Sequence, residues 1–178
     1  VDAIRKALTP KTRAIVPVHL FGQCAGMEDI MRLADDNGIH VIEDTAQATG
    51  TDYIFSDGSR KKAGTTGIIG TTSFFPSKNL GCYGDGGALF TNDDALAKKI
   101  RSIANHGMKV KYHHDDIGVN SRLDTIQAAI LNVKLRYLDA FNAARQSAAA
   151  FYDEALEGCR SVLLPARSSF STHIFHQY

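Results

Sequence analysis

Residues 14–47 read AIVPVHLFGQCAGMEDIMRLADDNGIHVIEDTAQ, and this stretch decides the fold. Ala14 to His19 is a nearly unbroken apolar run, too short for a helix and typical of a strand buried on both faces. Met27 to Asn37 then places Met27, Ile30, Met31, Leu33 and Ala34 at helical spacing, and Gly38 supplies the residue that closes a helix in the left-handed region. Ile39 to Ile42 is a second apolar strand, ending abruptly in Glu43-Asp44. Strand, helix and strand in this order predict a βαβ unit with a parallel sheet and a right-handed crossover.

Working outward, Val1 to Leu8 reads as a short amphipathic helix ending near Pro10. Ala48 to Gly67 is polar and Gly-rich, a loop or short irregular hairpin carrying Arg60-Lys61-Lys62. Ile68 to Phe75 resumes a strand pattern. Pro76 to Gly87 holds Gly81, Gly84, Gly86 and Gly87 around Lys78 and Asp85, and Ala88 to Thr91 reads as a further strand. Asn92 is expected to cap a helix over Asp93 to Asn105 that ends at Gly107, with His106 at its C-terminus. A polar loop, Met108 to Asn120, leads into a helical region from Arg122 to about Glu157, one helix or two with a bend.

The chain has 178 residues, 44% hydrophobic and 22% charged, with 20 Lys+Arg against 19 Asp+Glu. Such a domain buries roughly 70% of its unfolded surface, so its core needs no staples. The near-neutral balance lacks the electrostatic footprint of a nucleic-acid binder. The longest apolar runs, Ala14 to Val18 and Thr125 to Val133, fall short of the roughly 18 to 20 residues that cross a bilayer. Cys24, Cys82 and Cys159 are odd in number and widely spaced, which argues for reduced thiols in a cytoplasmic protein and against a disulfide frame or zinc site. His113-His114-Asp115-Asp116 fits no metal spacing, so no metal is expected. The chain begins at Val1 without Met and with no basic-then-apolar leader, already in a helical pattern, and stops in aromatic sequence, reading like the middle of something longer.

In an open parallel sheet, ligands bind beyond the carboxyl ends of the strands. His19, Asp44 and the Ser73 to Lys78 stretch fall at such ends. His19 is a ligand contact or a hydrogen-bonded strand-end histidine. Asp44, at the rim of an apolar strand, requires a cationic or hydrogen-bonding partner unless it is a helix cap. Lys78 lies between apolar SFFP and the glycine turn, where desolvation would favour the neutral, nucleophilic amine; a solvated surface lysine is the plainer reading.

Together, FFPSKNLGCYGDGG (74–87), EDTAQATG (43–50), PVHLFG (17–22) and GVNSRLDTIQAAIL (118–131) resemble the signature blocks of the DegT/DnrJ/EryC1/StrS aminotransferases. The resemblance implies an α/β fold of three layers, α/β/α, with a mainly parallel sheet, of the aspartate-aminotransferase-like fold type I. Residues 1–135 would form part of the large domain that binds pyridoxal 5'-phosphate, and 136–178 a linking helix and the start of a small C-terminal domain. Family members run to more than twice this length, so the chain reads as a portion of an enzyme. Lys78 takes the place of the catalytic lysine that bonds to the cofactor aldehyde, and Asp44 that of the carboxylate on the pyridine nitrogen. Gln47 matches the amide near the phenolic oxygen, Ala46 the residue against the ring, and Ser73 a phosphate ligand. Asn120 matches a phosphate ligand reaching across from a neighbouring subunit, which implies a homodimer.

FPSKNLGCYGDGGALFTNDD with YHHDDIGVNSRLDTIQAAIL is most similar to the subgroup that aminates UDP-linked 3-keto N-acetylglucosaminuronic acid with glutamate as donor. There Arg122 would pair with the sugar carboxylate, against the alternative of a surface charge at a helix start. His19 would lie on the substrate side. Lys78 argues against the related dehydratases, which carry His there. The rival class is a cofactor-free or truncated member acting in binding or assembly, which would have no chemical reason to keep Lys78 beside Asp44 and Gln47.

Overall fold

The computed structural model describes residues 1–178. After α1 (Asp2–Ala7) come β1 (Ala14–Ile15), α2 (Met27–Asn37) and β2 (His40–Asp44), the strand, helix and strand that the apolar spacing predicts. β1 and β2 are parallel, in the register Ala14 with His40 and Ile15 with Val41, and a further bridge joins Val18 to Asp44. α2 turns Met27, Ile30, Leu33 and Ala34 inward, onto Ile15 and Val41, and all of these are buried. Each large apolar side chain removed from water there contributes roughly 1.5–3 kcal/mol. Gly38 ends α2 at φ 61°, its N–H donating back to the carbonyls of Ala34 and Asp35.

The Gly-rich segment after β2 is ordered as a hairpin of β3 (Asp52–Ile54) and β4 (Arg60–Lys62), turned by Asp57-Gly58. β5 (Ile69–Ser73) pairs in parallel with β2, setting Asp44 beside Thr71. Gly70 is required in β5, because a Cβ there would lie 2.0 Å from the carbonyl oxygen of Gly64. β6 (Gly87–Phe90) completes a sheet of order β1-β2-β5-β6 and runs antiparallel to β5. The sheet is thus mainly parallel with one antiparallel edge, an α/β arrangement. α2 covers the face holding Ile15, Val41 and Glu43; on the opposite face of β1 and its extension, Val16 and Val18 are exposed.

α3 (Asp94–Ala104) corrects one expectation: its cap is Asp93, whose Oδ1 accepts from the N–H groups of Ala95 and Leu96 at 2.8 and 3.0 Å, not Asn92. Only Asp93 stands two and three residues ahead of those free N–H groups. His106 does not cap the helix end either. Its backbone is left-handed at φ 59° and donates to Val119, while Asn105 occupies the cap. The loop that follows contains a small antiparallel pair, β7 (Met108–Val110) and β8 (His113–His114).

The long helical region is two helices, α4 (Thr125–Lys134) and α5 (Leu138–Leu156), separated by a 3-10 turn at Leu135–Tyr137. Helix therefore begins after Asp124, and Arg122 stands in the extended segment before it. Leu131 and Leu138 pack with Leu80 and Cys82. Beyond α5 the chain returns to the first half: Phe170 accepts from Ile54 N–H at 2.8 Å, and Ile174 and His176 donate to the carbonyls of Gly22 and Phe21 at 3.0 and 2.9 Å. Ile174 and Phe175 are buried by that return. No helix is long and apolar enough to cross a membrane.

Candidate active site

Because β2 and β5 are parallel neighbours, their carboxyl ends open on the same edge of the sheet. Side chains alternate along β2, so its two terminal acids part company: Glu43 is buried under α2, and Asp44 is half-buried on the open face. The Asp44 carboxylate makes a single side-chain hydrogen bond, its Oδ1 accepting from Ala46 N–H at 2.9 Å, which tightens the turn after the strand. Ala46 and Gln47 are half-buried in that turn. Gln47 Oε1 accepts from the main-chain N–H of Phe21 at 2.6 Å.

Ser73 closes β5, two residues past the Thr71 that faces Asp44, and its hydroxyl oxygen accepts from Phe75 N–H at 3.2 Å. The backbone then turns tightly, with Lys78 N–H donating to Phe75 and Cys82 N–H to Phe74. That turn presents Lys78 half-buried at the same edge. Its ammonium belongs to none of the chain's ion pairs, and neither does Asp44. Burial first, then the charges of Lys78 and Arg145, lower the pKa of His176. A carboxylate, an amide, a hydroxyl and an unpaired amine thus lie at, or in the turns just beyond, the carboxyl ends of β2 and β5.

His19 is corrected by the structure. It is fully buried on the α2 side, with Nδ1 accepting from Ala25 N–H at 3.1 Å and Nε2 2.9 Å from Glu43 Oε2. An Nδ1 that accepts leaves Nε2 as the donor, so both ring nitrogens are spent inside the protein and none reaches a ligand. Its partner Glu43 is the residue that sequence reasoning passed over. Its carboxylate accepts from His19 and from the N–H groups of Gly64, Thr66 and Gly67, at 2.9, 2.9, 2.6 and 2.6 Å. Burial alone would raise its pKa; these hydrogen bonds outweigh it and hold Glu43 below the ordinary carboxylate range. The signal was present in the two-residue period of the strand, which forbids Glu43 and Asp44 from facing the same way.

The family model that matches residues 1–178, the whole chain, is that of the DegT/DnrJ/EryC1/StrS aminotransferases. The chain belongs to this family. The UDP-2-acetamido-2-deoxy-3-oxo-D-glucuronate aminotransferase of Pseudomonas aeruginosa is 53% identical over 154 residues, covering 86% of this chain and 42% of that protein. Among solved structures, DesV of S. venezuelae, in complex with a ketimine intermediate, superposes with a TM-score of 0.90 at 44% identity, covering 97% of this chain and 45% of that one. NtdA of Bacillus subtilis, with bound cofactor PMP, gives a TM-score of 0.82 at 34% identity, covering 97% and 39%. The chain spans less than half the length of the curated relatives it matches. The chain has the α/β architecture of part of an aspartate-aminotransferase-like, fold type I large domain, and the family depends on pyridoxal 5'-phosphate.

The donor set of this family member fits that cofactor. Asp44 offers a carboxylate free of any cation, Lys78 an unpaired amine and Ser73 a hydroxyl hydrogen, and the Gln47 amide keeps its N–H groups unspent. Asn120 and Arg122 lie on the segment that precedes α4. Both are exposed in the segment bound to the end of α3, where Ser121 N–H donates to Ala104, and Arg122 Nε donates to Asn120 Oδ1 at 3.0 Å. No hydrogen bond links them to Asp44 or Lys78. Arg122 instead borders a basic cleft with Lys98, Arg101 and Lys109.

Proposed function

We propose that the full-length protein is a pyridoxal-phosphate-dependent aminotransferase that moves the amino group of glutamate onto a nucleotide-linked keto sugar. The observation that carries this reading is the placing of Asp44, Gln47, Ser73 and an unpaired Lys78 at, or just beyond, the carboxyl ends of two adjacent parallel strands, in a chain of this family. Bound there, the cofactor supplies an electrophilic aldehyde and an electron-withdrawing ring. Asp44, whose charge is unspent on any cation of the chain, would hold the proton on the ring nitrogen. Lys78 Nζ would hold the cofactor through its aldehyde, with loss of water, and its free amine would serve as the base that moves a proton at the substrate carbon. The Gln47 N–H groups would hold the phenolic oxygen, Ser73 Oγ would hold the phosphate, and Ala46 would offer the ring an apolar contact.

Within this reading the substrate is a UDP-linked 3-keto N-acetylglucosaminuronic acid. The 53% identical relative is named for that sugar, and Arg122 in its basic cleft offers a bidentate partner for a uronate carboxylate. Asn120 and Arg122 make no hydrogen bond to Asp44 or Lys78 within one chain, and we assign them to the active site of the other subunit of a homodimer. We place the domain division at residues 135/136, where the 3-10 turn separates α4 from α5. A cytoplasmic location suits the three free thiols.

The test uses the full-length protein. Pyridoxal phosphate should produce an absorbance band in the near-ultraviolet to visible that borohydride bleaches, with the pyridoxyl mass adduct on Lys78. Glutamate with the UDP-linked 3-keto uronate should then yield the 3-amino sugar. An adduct elsewhere overturns the assignment of Lys78; cofactor added without any band favours a cofactor-free binding role.

A further inference from the structure

Phe21 sits in the left-handed region, at φ 58° and ψ 5°, a conformation that a bulky residue adopts only when its surroundings impose it. Its side chain does not impose it, being 46% exposed. The main chain does. The carbonyl of Phe21 accepts from His176 N–H at 2.9 Å, and that of Gly22 accepts from Ile174 N–H and from the buried Thr51 hydroxyl, both at 3.0 Å. The strap 174–176 is in turn anchored by Arg145, whose Nη1 donates to the carbonyls of Phe175 and His176 at 3.1 and 3.2 Å. Gly22 lets the strap approach, since a Cβ there would lie 2.9 Å from both Ile174 Cγ1 and Phe175 N.

The consequence is the direction of one N–H group. Phe21 N–H points at Gln47, and a backbone N–H can only donate, so the amide atom 2.6 Å from it is the oxygen. This settles which way the amide faces without reference to any ligand. With Oε1 turned toward Phe21, Gln47 offers its two N–H donors on the other side of the amide.

We propose that Phe21 is a positioning residue for Gln47: its left-handed peptide, locked by the 174–176 strap, fixes the amide so that only N–H donors face the cofactor site. The group received there is an acceptor, an anionic or carbonyl-like oxygen of the ligand, and a ligand donor at that point is rejected. The inference rests on the placement of Gln47 at the cofactor given under Proposed function. It adds that residues 174–176, far away in sequence, preset the chemistry of that contact.

The experiment replaces Phe21 in the full-length protein by phenyllactic acid, an amide-to-ester change that deletes the N–H and keeps the side chain. Loss of one hydrogen bond that orients a ligand contact should raise the dissociation constant for pyridoxal phosphate about three- to tenfold, measured by titrating the apoprotein. In a Gln47→Ala background the same ester should change it less than about twofold, since nothing remains to orient. Phe21→Gly, which keeps the N–H and adopts positive φ freely, should stay within about twofold of the parent. An ester that weakens cofactor equally in both backgrounds, or in neither, overturns the proposal. Should Gln47→Ala itself leave affinity unchanged while the Lys78 adduct still forms, the role of Gln47 falls together with this proposal, and the aminotransferase reading stands.

Discussion

Replacing Glu43 by Gln tests how the carboxyl edge of β2 is held. The carboxylate divides four donors between two oxygens: Oε2 accepts from His19 Nε2 and Gly64 N–H, and Oε1 from the N–H groups of Thr66 and Gly67. A glutamine has one oxygen. Turned toward Thr66 and Gly67, it sets its NH2 against His19 Nε2–H and Gly64 N–H; turned the other way, it orphans Thr66 and Gly67. His19 cannot rescue the first arrangement by changing tautomer, because its Nδ1 already accepts from Ala25 N–H. Either way two buried or half-buried donors lose their acceptor, at roughly 1–3 kcal/mol each, or about 2–6 kcal/mol together. Amide exchange of Gly64, Thr66 and Gly67 in the full-length protein should therefore accelerate at least about thirtyfold, on the scale of roughly 1.4 kcal/mol per tenfold. The pH dependence carries a sign. The folded pKa of Glu43 is depressed, so its contribution is present above the unfolded carboxylate pKa and is lost as pH falls through the lower folded value. Glu43→Gln should flatten that acid limb. Exchange at the three amides changed by less than about threefold would refute the reasoning.

Asp44→Asn should keep the fold, because an amide oxygen can still accept from Ala46 N–H, while transamination drops by several orders of magnitude, on the scale of roughly 1.4 kcal/mol per tenfold; near-parental turnover of glutamate would reduce Asp44 to a turn residue. Mixing full-length Lys78→Ala with Asn120→Ala should restore some activity through dimers holding one intact site, and no recovery under demonstrated subunit exchange would count against a shared site. Arg122→Lys should lower kcat/KM for a uronate sugar roughly ten- to a hundredfold and spare the glutamate half-reaction, since a point charge cannot replace two parallel hydrogen bonds. A parallel fall in both half-reactions would assign Arg122 to the cofactor or the dimer instead.

The βαβ unit of residues 14–44 and the ends of its strands were legible in the chain itself, because apolar spacing, Gly38 and the acidic stop at Glu43-Asp44 are local signals. The blocks around Asp44, Lys78 and Asn120 likewise carried the family, since each is a run of contiguous residues that can be read without the fold. Local signals misjudged the cap of α3 by one residue and left His19 open between ligand and core. They could not show that β6 runs antiparallel, that Glu43 gathers the 64–67 turn, or that residues 174–176 return to lock Phe21. Each of these depends on partners distant in sequence. Whether a polar side chain such as His19 or Glu43 faces ligand or interior is settled by what packs over it. That is a property of the assembled sheet and helices, because burial and hydrogen-bond satisfaction are decided in space and not along the chain.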